Sequence, residues 1–68
     1  MLNTKLFKIR MIEKNMSQEA LACAVNMDQS TLSQKLNNQR AVKLSEAEAI
    51  QKALEIPDCD FRKYFFYN

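Results

Sequence analysis

Glycine is absent from all 68 residues, where an average composition would supply about five. A Gly-rich loop cradling phosphates is therefore excluded, and another residue must take the left-handed backbone positions at which helices stop. Asparagine tolerates that conformation, and Asn15, Asn26, Asn37 and Asn38 stand where helices are expected to end. Histidine is absent as well, which removes the commonest general base. The two cysteines, Cys23 and Cys59, lie far apart and outside any C-x-x-C pair. No four-ligand zinc site can be assembled from them. Both are expected to be reduced, with Cys23 packed as a small residue on the second helix. The single proline, Pro57, is expected to stop the fourth helix. No apolar run approaches the roughly 18 residues of a membrane span, and the N-terminal residues form no apolar h-region. No membrane partner is expected, and the cytoplasm is the expected location.

What is present amounts to one small domain, covering 1–68. At this length a single apolar core barely suffices. The net charge is +2, but it is unevenly spread. Residues 1–43 hold seven Lys and Arg against three Asp and Glu, and residues 44–68 hold three against five. The basic half suits a polyanion.

Two helix starts, Met16-Ser17-Gln18-Glu19-Ala20-Leu21 and Met27-Asp28-Gln29-Ser30-Thr31-Leu32, lie eleven residues apart. Ser17 and Asp28 are good N-cap residues, and the pairs Met16/Leu21 and Met27/Leu32 have the spacing of a hydrophobic staple. Helix two is expected over about 18–25, burying Leu21, Ala22 and Val25. Helix three is expected over about 29–36, burying Leu32 and Leu36 and leaving Gln29, Ser30, Ser33, Gln34 and Asn37 as an uncharged outer face. Short helices joined by so tight a turn predict a DNA-reading helix-turn-helix over about 17–37.

Helix one is expected over about 3–14, with Leu2, Leu6, Ile9, Ile12 and Met16 along its buried stripe and Phe7 and Met11 broadening it. After a polar loop, Ser45-Glu46-Ala47-Glu48 predicts a capping box for helix four, which runs to Glu55. A last helix starts near Asp58 and carries Phe61, Tyr64 and Phe65. Phe61 and Phe65 are expected in the core, with Phe66 and Tyr67 either as an exposed patch for a second subunit or packed over helix one.

Ser17-Gln18-Glu19-Ala20-Leu21-Ala22, Val25, Gln29-Ser30-Thr31-Leu32-Ser33 and Ile50 with Ala53-Leu54-Glu55-Ile56 resemble the lambdoid phage repressor and Cro superfamily, the xenobiotic-response-element family of DNA-binding domains. The resemblance spans roughly residues 6–61. It implies a compact five-helix, all-α, lambda-repressor-like domain whose third helix enters the major groove of operator DNA, usually as a homodimer. It also implies that Gln18 contacts a phosphate and braces Gln29, that Gln29, Ser30 and Gln34 face bases, and that Asn37 touches the backbone. The chemistry of the residues points the same way, since a carboxamide pairs with adenine N7 and N6 and a hydroxyl serves either polarity.

The sequence departs from the family pattern in three places. Asn26 and Asn38 stand for common glycines. Met11 and Leu36 stand where many relatives pair an arginine with a glutamate, so an apolar contact is expected. Asp28 places a negative charge near the expected phosphates unless capping consumes it.

The candidate DNA-contacting set is thus Gln18, Gln29, Ser30, Thr31, Ser33, Gln34, Asn37, Arg40 and Lys43, the last two as phosphate contacts that position the domain. No catalytic residue, metal ligand or cofactor is expected, because the carboxylates sit at helix starts and on polar faces. The expected function is that of a phage- or mobile-element-type repressor. The alternative is a protein-interaction module of antitoxin or antirepressor type, which binds a protein instead of, or besides, DNA.

Overall fold

Four turns, none containing glycine, set the path of the chain. The computed structural model describes residues 1–66, and its α-helices are α1 (Thr4–Glu13), α2 (Gln18–Ala24), α3 (Gln29–Leu36), α4 (Leu44–Ala53) and α5 (Phe61–Phe65). A single 3-10 turn, Asp58–Asp60, precedes α5. The described residues contain no strand, so the domain is small and all-α, as expected.

Helices α1 to α4 each end in the same way. Asn15, Asn26, Asn38 and Glu55 take positive φ, at 52°, 57°, 63° and 54°. The next N–H reaches back to a carbonyl of the closing turn: Met16 to Met11 (2.9 Å), Met27 to Ala22 (2.9 Å), Gln39 to Gln34 (2.8 Å) and Ile56 to Gln51 (3.0 Å). This is the Schellman arrangement, which satisfies carbonyls that the helix itself leaves unpaired. Three of the four expected asparagines fit these turns. Asn37 does not, because it is the C-cap of α3 at φ −97°. The fourth left-handed position falls on Glu55, so α4 stops before Pro57 is reached. Carbonyl capping by a neighbouring helix supports this turn: Arg10 Nε donates to Leu54 O (2.9 Å), and a guanidinium N–H donates to Glu55 O (2.6 Å). A cation at a helix C-terminus is also favoured by the helix dipole. Lys14 pairs with the Glu55 carboxylate and holds its pKa below the ordinary value.

The core consists of Phe7, Leu21, Leu32, Ile50 and Leu54, all fully buried, with Met11, Leu36, Ile56 and Phe65 around them. Met11 and Leu36 both belong to it. Met16 and Met27 pack against this core ahead of the helices they introduce, as the staple spacing requires. Phe7 meets Tyr64 and Phe65 edge-on, with centroids 5.2 and 5.1 Å apart, and Phe61 stacks on Phe65 at 4.4 Å. These geometries suit the aromatic quadrupole and tie α1 to α5.

The buried stripe of α1 differs from the expectation. Phe7 and Met11 are buried, whereas Ile9 is 45% and Ile12 79% exposed. The apolar residues of α1 surround the helix, and the core selects the ridge that carries its largest side chain, Phe7. Cys23 is exposed, not packed. It lies one helical turn beyond Glu19, on the flank opposite the buried Leu21 and Ala22. The start of α4 is shifted as well: Lys43 is its N-cap, and the Glu46 carboxylate accepts the Lys43 N–H at 2.9 Å, so the Ser45–Glu48 box does not form. Phe65 is buried, Phe61 is half-buried and Phe66 is exposed; Tyr67 lies outside the described residues.

Candidate functional site

The α2–turn–α3 unit begins at Ser17, whose hydroxyl accepts the Ala20 N–H at 3.0 Å. The turn runs through Val25, Asn26 and Met27 to Asp28, where the backbone becomes extended before α3. Asp28 occupies the N-cap position, but its side chain makes no capping hydrogen bond. Its charge is therefore not consumed locally and stands exposed at the N-terminal end of α3.

Helix α3 is held from beneath by Leu32 and Leu36, one turn apart and both buried. Its C-terminal end is held by long-range contacts. Thr4 Oγ1 donates to Leu36 O at 2.7 Å. Asn38 accepts the Leu2 N–H (2.7 Å) and donates to Leu2 O (3.0 Å). A side-chain amide thus pairs with the backbone of Leu2 as a neighbouring strand would, while its own φ closes the helix. The N-terminal segment is fixed in turn to α5, because the Asn3 N–H donates to Tyr64 O at 2.8 Å.

This anchoring leaves Gln29, Ser30, Gln34 and Asn37 exposed. Ser33 lies among them, half-buried, and the Asn37 amide donates back to Ser33 O at 2.9 Å. Thr31 does not share this face. It is half-buried and lies one turn before Lys35 on the flank that turns toward α4. Gln18 is half-buried on α2. The side-chain hydrogen bonds of the unit are Ser17 to Ala20 and Asn37 to Ser33, and among the described residues none joins Gln18 to Gln29.

The charges near this face sort into structural and free groups. Lys35 is tied to Glu46 at 2.5 Å, and that hydrogen bond, with the Lys43 backbone N–H, holds the Glu46 carboxyl below its ordinary pKa. Arg10 and Lys14 serve the end of α4. Among the described residues the cations of the basic half without an ion pair are Lys5, Lys8, Arg40 and Lys43, all exposed. Arg40 and Lys43 follow α3 directly. Lys5 lines a groove with Asn38, which brings it to the same end of α3. It was not among the expected contacts, because its position depends on the pairing of Leu2 with Asn38 across 36 residues of sequence.

Among the described residues no group of three or more His, Cys, Asp or Glu could hold a metal ion, and no helix is long and apolar enough to cross a membrane. The class so defined is a small all-helical domain that presents an uncharged polar helix face beside free cations. A family model described as "Protein of unknown function (DUF739)" matches residues 3–68, and the chain belongs to that family. No curated protein and no solved structure matches the chain.

Proposed function

We propose that this protein is a sequence-specific DNA-binding regulator of the phage-repressor type, with α3 read against base edges in the major groove. The observation that carries the reading is the outer face of α3. Gln29, Ser30 and Gln34 are exposed and uncharged on a helix whose other side is locked by Leu32 and Leu36. A face meant only for solvation gains most from charge, whereas carboxamides and hydroxyls supply paired donors and acceptors that match base edges. A rigid mount removes the backbone's share of the ordering cost and leaves only the side-chain rotamers to be fixed on binding. In this reading Arg40, Lys43 and Lys5 meet phosphates and Gln18 meets the DNA backbone from α2. Asp28 opposes this and sets a limit on how closely phosphate approaches the start of α3.

So small a domain makes few base contacts, and two copies on half-sites about 34 Å apart would supply useful affinity. No cofactor enters this reading, and its setting is the cytoplasm of a cell that carries phage or mobile-element genes.

Selection of duplexes from a randomised library, followed by salt titration, tests the proposal. The expected result is an enriched sequence whose log affinity falls linearly with log salt. Failure to enrich any sequence, or affinity indifferent to salt, refutes it. The second reading, a module that docks on a protein, is favoured by exposed Ile9 and Ile12 on α1. Apolar docking there would show little dependence on salt.

A further inference from the structure

Lys5, Lys8, Ile9 and Ile12 of α1 are spaced i, i+3, i+4 and i+7 and so fall on one side of the helix. All four are exposed, and neither lysine is in an ion pair among the described residues. The patch continues into the groove that Lys5 and Ile9 line with exposed Met1 and half-buried Leu6. Lys5 is the one charged side chain lining that groove. The only acid of α1, Glu13, is held at 3.4 Å by Arg10, whose Nε donates to Leu54 O. Nothing in the docking of α1 calls for isoleucine on this side, because the helix is buried through Phe7 and Met11.

We propose that this side of α1 is a docking surface for an acidic, amphipathic segment of another protein, laid along α1 as a short helix of its own. The proposal rests on the second reading above, docking on a protein through α1, and supplies the chemistry of the partner. The choice of occupant follows from the four residues together. DNA would engage the lysines and gain nothing from two isoleucines set against phosphate. A basic segment would be repelled by both lysines, and so would a second copy of this same side. A bilayer interface calls for a wider apolar face than two isoleucines provide. An acidic segment with apolar side chains uses all four: its apolar side chains cover Ile9 and Ile12, and its carboxylates meet the ammonium groups at the rim. Lys5 and Lys8 are like charges about one turn apart, and carboxylates laid over them relieve their repulsion. The isoleucines supply the affinity and the lysines select the partner.

The probes are synthetic peptides of about four helical turns, each with leucine along one face and with glutamate, glutamine or lysine at the remaining positions. Binding to the full chain is followed by amide chemical shifts at one salt concentration and without DNA. The glutamate peptide should shift residues of α1 and its groove and bind roughly tenfold or more tightly than the lysine peptide. Ile12→Ala should weaken that binding roughly fivefold or more. The double variant Lys5→Glu, Lys8→Glu should reverse the preference in favour of the lysine peptide. Circular dichroism melts establish that these variants are folded, which the exposure of the substituted positions leads us to expect. If the glutamine or lysine peptide binds α1 as tightly as the glutamate peptide, or the double variant fails to reverse the preference, the acidic partner is overturned while α1 remains a docking surface. If no peptide shifts α1, if Ile12→Ala binds unchanged, or if phosphatidylglycerol vesicles engage α1 where the peptides do not, the protein-docking reading falls with it. Every result is read without nucleic acid, so either failure leaves the DNA reading untouched.

Discussion

Helices α1 and α3 dock on the same core in the same way and face solvent in opposite ways. Each buries one pair of residues a turn apart, Phe7 with Met11 and Leu32 with Leu36. The outer side of α1 mixes Lys5 and Lys8 with exposed Ile9 and Ile12, and that of α3 carries glutamine and serine without charge. Docking a helix of this size therefore constrains few positions. The composition of the remaining face is free to reflect what it meets, and on α3 that composition is suited to hydrogen-bond readout.

The buried pairs are what hold both helices on the core. Phe7→Ala should cost about 3–5 kcal/mol and Leu32→Ala about 2–5 kcal/mol in chemical denaturation, against a change within about 0.5 kcal/mol for Ile12→Ala. A loss at Ile12 comparable to that at Phe7 would restore the stripe expected from periodicity and reject the observed orientation of α1.

The starts of α2 and α3 differ in their capping. Ser17→Ala should cost about 1 kcal/mol, because it removes a capping acceptor. Asp28→Ala should cost less, since Asp28 caps nothing, and by removing a negative charge it should strengthen DNA binding. Equal destabilisation by the two substitutions would mean that Asp28 caps in solution.

A titration separates the structural lysine of α3 from the free ones. The Glu46 carboxyl, held by Lys35, lies below its ordinary pKa of 4.5 in the folded state. A group depressed on folding contributes stability that is present above the unfolded pKa and lost as pH falls through the folded value. The thermal midpoint should therefore drop as pH falls below 4.5, and less steeply in Glu46→Gln. Identical acid profiles for the two proteins would show that the Lys35–Glu46 pair is not formed. The smallest effect concerns the free cations: Arg40→Ala or Lys43→Ala should each reduce the salt slope of DNA binding by about one. An unchanged slope removes that residue from the phosphate footprint.

The reading of α3 from sequence held because its two core leucines leave only one possible buried side. On α1, Leu6, Phe7, Ile9, Met11 and Ile12 offer several, and the choice rests on α5, which packs Phe65 and Tyr64 against Phe7 from the far end of the chain. Helix ends followed a similar division. Asn15, Asn26 and Asn38 announce their turns, whereas Glu55 is an unlikely left-handed residue that the Arg10 guanidinium and Lys14 support from α1. The polar face of the candidate site was legible residue by residue. Two things were not: that Lys35 is spent on Glu46, and that Lys5 lies near the end of α3. Both depend on contacts between helices that no local pattern records.

In the proposed function the glutamines of α3 read bases while the cations only position the domain. It is tested most directly by measuring Gln29→Ala and Gln34→Ala on an enriched duplex and on random duplexes at one salt concentration. Each substitution should cost about 1–3 kcal/mol on the enriched sequence and leave random binding nearly unchanged. Equal losses on both DNAs, or none on either, would contradict the assignment of α3 as the reading helix.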